Sequence, residues 1–149
     1  MLQIEIIKGF PDGTLTLTNN GRPSNGNSRA SRGEDVHWKV KPHCGVASID
    51  NISIKTDRPS TDIFSDEPPT GQDNPPFKHW KGRINKKAKI YSEYNYSIFW
   101  SADDGSAREY DPKIAVKPSP AIPFASMIVG VISLSMLIYT IFFRSRKKQ

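Results

Sequence analysis

Tyr94–Trp100, YNYSIFW, decides the fold. Tyr94, Tyr96, Ile98 and Trp100 fall on one side of a period-two pattern, and Asn95, Ser97 and Phe99 on the other. Successive side chains of a strand point to opposite faces, so this alternation predicts a strand with one buried face. Asp103-Asp104-Gly105 follows as a hairpin turn, and Glu109–Lys117 returns as the last strand with Ile114 and Val116 inward.

The same period runs upstream. Leu2, Ile4 and Ile6 alternate with Gln3 and Glu5; Pro11-Asp12-Gly13 turns the chain, and Leu15 and Leu17 share a face of Thr14–Thr18. Asn19–Ser31, rich in Asn, Gly and Ser, reads as a loop. In Gly33–Val40, Val36, Trp38 and Val40 face one way, His37 and Lys39 the other. Val46–Lys55 alternates imperfectly, with Ile52 and Ile54 inward, and His79–Ile84 is a short strand. Residues 57–76 hold five prolines (Pro59, Pro68, Pro69, Pro75, Pro76) and five acids, an acidic excursion pinned to the core by Ile63 and Phe64. Seven or eight short strands with turn signals between them and no helical period predict an all-β antiparallel sandwich over residues 1–117.

Beyond it the pattern changes. Lys117-Pro-Ser-Pro120 is a stiff spacer, with residues 118–120 linking the domain to Ala121–Phe143, AIPFASMIVGVISLSMLIYTIFF. That segment carries no charge and as a helix reaches roughly 35 Å, enough for a hydrocarbon core of about 30 Å. Arg144, Arg146, Lys147 and Lys148 in the tail 144–149 stop it at a headgroup surface. The expectation is one C-terminal transmembrane α-helix, a single-pass tail anchor in a lipid bilayer. MLQIEIIKGF is unlike a secretory signal, because it lacks a basic n-region and a long apolar stretch; this favours a cytosolic domain. The four basic residues after the span argue for the reverse sidedness.

The net charge of +6 comes mostly from that tail. Removing its four basic residues from the 21 leaves 17 against 15 acids, or +2, so nucleic acid is not an indicated partner. One cysteine, Cys44, excludes an internal disulfide.

Two stretches resemble a cupredoxin-type sandwich: Gly33-Glu-Asp-Val-His-Trp38, similar to the G-D-x-V-x-W strand of that fold, and Tyr94-x-Tyr96-x-Ile98 with its hairpin to Ile114-x-Val116. Trp38–Val40, Gly45–Ile49, Trp80–Gly82, Tyr94–Trp100 and Asp111–Ile114 are together similar to small bacterial β domains. An immunoglobulin-like sandwich explains the strands as well. The resemblance implies a cupredoxin-like or immunoglobulin-like fold and no particular activity.

Copper chemistry does not come with it. A type 1 site needs two His, a Cys thiolate and usually a weak Met. Residues 1–120 contain no Met beyond Met1, and the hairpin Ser101–Tyr110, where ligands would cluster, has no Cys, His or Met. His43 and Cys44 are adjacent, and on a strand they would point to opposite faces. No metal site and no cofactor is expected. Catalysis is not expected either: there is no nucleophile elbow, phosphate loop or zinc-helix motif, and Cys44 with His37, His43 or His79 is a pairing that any such composition permits. Asn51-Ile-Ser53 and Asn95-Tyr-Ser97 match the glycosylation triplet but lie in predicted strands. Trp38, Trp80 and Trp100 read most simply as core.

One charged feature exceeds the background. Lys78, Lys81, Arg83, Lys86, Lys87 and Lys89 occur without an intervening acid, with Phe77 and Trp80 interleaved. Read plainly, this is a lysine-guarded strand edge. Its functional reading is a candidate anionic-surface patch, with Trp80 included, for lipid headgroups or a nucleotide-like ligand. In the span, Ser126, Gly130, Ser133, Leu137 and Thr140 share one helix face, and Ser126-x-x-x-Gly130 lets two backbones approach, which predicts a homo-oligomer. The function expected is a non-enzymatic, membrane-anchored binding module recognising a protein or small ligand at the bilayer. The rival is a membrane effector, in which the β domain senses a signal and the assembled spans perturb the bilayer.

Overall fold

A computed structural model describes residues 1–24, 26–55, 63–64 and 67–119. The alternating stretches become eleven strands: β1 (Leu2–Gly9), β2 (Leu15–Asn19), β3 (Arg22–Ser24), β4 (Asn27–Ser31), β5 (Asp35–Val40), β6 (Val46–Ile54), β7 (Glu67–Gly71), β8 (His79–Arg83), β9 (Glu93–Ala102), β10 (Ala107–Tyr110) and β11 (Lys113–Lys117). Among the described residues no helix is long and apolar enough to cross a membrane; residues 121–143 and the tail 144–149 lie outside them.

The strands form two sheets. The first runs β3-β2-β1-β5-β8-β7 and the second β10-β9-β11-β4, with β6 also on β9. β10 and β11 follow one another along one edge of β9, opposite Ile98–Ser101 and Glu93–Asn95, while β6 takes the other edge. Both sheets are mixed, which corrects the antiparallel expectation. β1 runs parallel to β5 (Ile4 opposite Trp38), and β4 runs parallel to β11 (Val116 opposite Ala30). Parallel neighbours need a crossover connection. The chain supplies one between β1 and β5 by way of β2, β3 and β4, the last of which belongs to the other sheet. A period-two pattern is identical for either strand direction, so it could not reveal this.

Two other expectations change. Asn19–Ser31 contains β3 and β4 rather than a loop, and the inward residues of β4 are Ser28 and Ala30, too small and too polar to mark a strand. The last strand is two, because Pro112 lacks an N–H and the chain breaks there between β10 and β11. His43 and Cys44 sit in the turn between β5 and β6: His43 has φ +57° and is exposed, while Cys44 is buried.

The apolar faces meet in one core. Ile4, Ile6, Leu17, Val36 and Trp38 come from the first sheet; Ile49, Tyr96, Ile98, Trp100, Ile114 and Val116 come from the second. Ile63 and Phe64 are fully buried, as their sequence context led one to expect. The Phe64 ring stands edge-on to Trp38 and Tyr96, with centroids 5.6 and 6.5 Å away. The described residues are thus all-β, with two mixed sheets closed on a common core, an arrangement consistent with a β-sandwich.

Candidate functional site

β8 runs between β5 and β7. Its inward residues are Trp80 and Gly82, and its outward ones are His79, Lys81 and Arg83. Trp80 is buried, its Nε1 donating to the Ile49 carbonyl at 3.0 Å, and the half-buried Phe77 ring stands edge-on against it. The two aromatics interleaved with the lysines therefore underlie the surface. Gly71 opposite Trp80 leaves room for this packing, since a Cβ there would come within 2.5 Å of Phe77.

The fold divides the basic stretch. Lys81 and Arg83 lie on the outer face of the first sheet, and exposed Lys78 precedes them. Lys86, Lys87 and Lys89 are exposed in the turn after β8, at the opposite end of that strand from Lys78. Arg83 Nε donates to Asp35 Oδ1 at 2.6 Å, and this bond outweighs desolvation to hold the Asp35 carboxyl below its ordinary range. Of the span residues, Ser126, Gly130, Ser133, Leu137 and Thr140 lie outside the described residues.

Strand order adds residues that the linear sequence did not connect. Gln3 of β1 is opposite His37 of β5, which is opposite Lys81 of β8. One step along, Glu5 is opposite Lys39, which is opposite His79. Gln3, His37, Lys39, Gln72 and His79 line an open groove of about 360 Å³ on the outer face, floored by the backbone-bearing strands of Trp38 and Trp80. The nearby acids are engaged: Glu5 by Lys41 at 3.5 Å, and Asp73 by His79 Nδ1 at 2.6 Å. Gln3 Nε2 already donates to Glu5 Oε1 at 3.1 Å and Gln72 Nε2 to Thr70 at 3.1 Å, so the groove offers the Lys39 ammonium, the His37 imidazole and the second nitrogen of His79, with Lys81 beside them, a donor set suited to an anion.

No family model and no curated protein matches this chain. Function therefore rests on the site alone. The sequence signal for the groove was present but local. His37 and Lys39 read as outward-facing on their strand, yet only the β1-β5-β8 neighbourhood brings them to Gln3 and His79.

A second cavity of about 260 Å³ lies at the far end of the strands, lined by Gly9, Phe10, Gly45, Trp100, Asp104 and Arg108 among others. The Arg108 guanidinium donates to the Phe10 carbonyl at 2.7 Å and lies 5.4 Å from the Trp100 ring centroid. The buried Trp100 Nε1 has no hydrogen-bond partner among the described residues. Among those residues no group of three or more His, Cys, Asp or Glu is arranged to hold a metal ion.

Proposed function

We propose that the chain is a membrane-anchored, non-enzymatic β-sandwich binding module that recognises an anionic ligand or an anionic group of a partner at the bilayer. The observation that carries this reading is the groove across β1, β5 and β8, where His37, Lys39 and His79 meet with Gln3 and Gln72. A concave surface with a few convergent polar groups is the ordinary form of a ligand site. The anchor in this reading is Ala121–Phe143, argued from its length and lack of charge.

For the fold, we favour the cupredoxin-like alternative over the immunoglobulin-like one. Immunoglobulin sandwiches are built of antiparallel sheets. The β1–β5 and β4–β11 pairs are parallel, and the G-E-D-V-H-W stretch that resembles the cupredoxin strand supplies β5.

The test uses the full chain in lipid nanodiscs, titrated with inorganic phosphate and with pyrophosphate, following the three imidazoles by NMR. His37 and His79 are expected to shift while exposed His43, in the turn before β6, stays still. Lys39→Ala should weaken the response. Equal shifts at all three histidines, or none up to about 1 mM (binding weaker than about 4 kcal/mol), would remove the groove as an anion site.

A further inference from the structure

The described chain leaves the domain at one defined place. Lys117 is opposite Ser31 on β4, and Ser119 Oγ donates to the Arg32 carbonyl at 3.3 Å. Arg32 Nε in turn donates to the Ala88 carbonyl at 2.5 Å, which ties the β4–β5 turn to the turn after β8. Tyr91 N–H donates to the Val116 carbonyl at 2.8 Å, and Val116 N–H to Ser92 at 2.9 Å. These bonds gather Arg32, Lys87, Lys89, Tyr91 and Lys117 around the point of exit.

Arg32, Lys87, Lys89 and Lys117 are all exposed there. Two acids among the described residues at this end are already engaged. Glu34 takes the N-terminal ammonium at 3.1 Å and the Ser31 N–H at 2.6 Å, and Glu93 lies 3.9 Å from Lys113. The opposite end mixes exposed Asp12, Asp103 and Asp104 with Lys8, Lys41 and Lys78, so it lacks the excess of base found at the exit.

Tyr91 is the second, independent observation. Its side chain is 82% exposed, and its φ of +61° is a left-handed conformation that a non-glycine residue rarely adopts. An aromatic ring carrying a hydroxyl, held into solvent on a disfavoured backbone beside a ring of cations, matches the composition of a bilayer interface, where tyrosine sits at headgroup depth. Only Pro120 separates Ser119 from the apolar segment Ala121–Phe143. An extended residue spans at most about 3.6 Å, so the exit end lies within a few residue lengths of wherever that segment enters a membrane.

We infer that this end of the domain, Arg32, Lys87, Lys89, Lys117 and Tyr91, docks on anionic phospholipid headgroups, so that the strands stand on the bilayer. The basic stretch is then used at its Lys87–Lys89 end and not as a flat patch, and the groove of the first sheet stays open to the side. This rests on the reading of residues 121–143 as a membrane span.

The test places a tryptophan at either end of the domain within the full chain, by Tyr91→Trp and separately by Asp103→Trp, against the buried background of Trp38, Trp80 and Trp100. Each variant is reconstituted in brominated phosphatidylcholine vesicles with and without phosphatidylserine. Docking requires that Tyr91→Trp adds a quenched component in phosphatidylserine vesicles and that Asp103→Trp does not. That component should be lost on adding Arg32→Gln, Lys87→Gln and Lys89→Gln, and in high salt, which screens headgroup attraction without any substitution. Alkaline carbonate extraction separates the two levels. Protein that resists extraction but shows equal quenching at both ends, or no salt dependence, overturns the docking alone. Protein released by carbonate overturns the span and the docking with it.

Discussion

The indole N–H of Trp38 donates to the phenol oxygen of Tyr96 at 3.3 Å, linking the two sheets through the middle of the core. Both residues are fully buried and their rings meet edge-on with centroids 6.0 Å apart. Burial pushes the Tyr96 phenol far above its ordinary value. Tyr96→Phe keeps the shape and removes the acceptor, leaving a buried N–H unpaired. The expected cost is about 1–3 kcal/mol in urea unfolding. Trp38→Ala, which also opens a cavity, should cost about 3–5 kcal/mol. A loss under about 1 kcal/mol for the latter would mean the ring does not pack as described.

That core was readable because its members stand at strict alternate positions: Val36, Trp38 and Val40 in β5, and Tyr96, Ile98 and Trp100 in β9. Strand direction was not readable, since alternation is blind to it. β4 escaped notice because Ser28 and Ala30 bury little apolar surface; Ser28 is held by its hydroxyl bond to Asn19 Oδ1 at 3.0 Å. The groove escaped for a different reason. Gln3, His37 and His79 are far apart in the chain, and only the order of β1, β5 and β8 places them side by side. The basic run was visible as composition, but its division between Lys81 on a sheet face and Lys87–Lys89 at a strand end is a property of the turn that follows β8.

Residues 1–119 carry the whole of this core. Expressed without the apolar segment, they should give a monomeric protein with a β-type circular-dichroism spectrum and cooperative unfolding. A helical spectrum, or a chain without tertiary structure, would contradict the two-sheet arrangement.

Gly9 lies at the end of β1, against Val46 and Trp100 of the second sheet. A Cβ there would stand 2.7 Å from the Val46 side chain and 2.9 Å from the Trp100 ring. Since no left-handed conformation is involved, Gly9→Ala is opposed by contact alone, and an overpacking cost of about 1–3 kcal/mol is expected. Gly21, with φ +78° and open space around it, is the comparison: Gly21→Ala is strained by its backbone and not by its neighbours. A combined Gly9→Ala/Val46→Ala variant that recovers nothing would show that Val46 is not the obstacle, and the chemical-denaturation midpoint reads it directly.

A pH dependence is written into the contacts between β6 and the β10–β11 break. Lys55 reaches both Asp111 and Glu109, and Ser97 Oγ lies 2.8 Å from each of those carboxylates. Burial alone raises the Asp111 carboxyl, yet the bonds from Lys55 and Ser97 outweigh it and hold Asp111 below its ordinary value. A carboxylate depressed on folding contributes stability above its unfolded value and loses it as pH falls through the folded one. Lys55, raised chiefly by its bond to Asp111, contributes below its unfolded value and loses that contribution as pH rises through the folded one. Lys55→Gln should therefore flatten the acid limb of the stability profile and move the Asp111 titration upward in carboxyl NMR. An unchanged Asp111 titration in Lys55→Gln would show that the ammonium does not set it.

Tyr91 sets stability against use. Its backbone sits at φ +61°, held by the N–H bond to Val116, and its ring, 82% exposed, gains little from packing. A left-handed conformation costs an L-residue about 1–2 kcal/mol. Glycine removes that cost but loses about 0.5–1 kcal/mol through its freer unfolded chain. Tyr91→Gly should thus be neutral or stabilising by up to about 1.5 kcal/mol. Tyr91→Val, β-branched and poorly tolerated at positive φ, should destabilise. Urea unfolding of residues 1–119 in solution measures both, away from any lipid. A Tyr91→Gly loss above about 1 kcal/mol would mean that the ring is packed after all, and the exit end would have no exposed aromatic to offer a bilayer. A neutral or positive change means that tyrosine at this position contributes nothing to the isolated fold. Exposed Asn20 and His43 share this conformation, and Tyr91 is the one of the three that carries a phenol ring; strain of this kind at a functional site is repaid by what the site does. Here the neighbours of that residue are Arg32, Lys87, Lys89 and the strand that leads out of the domain.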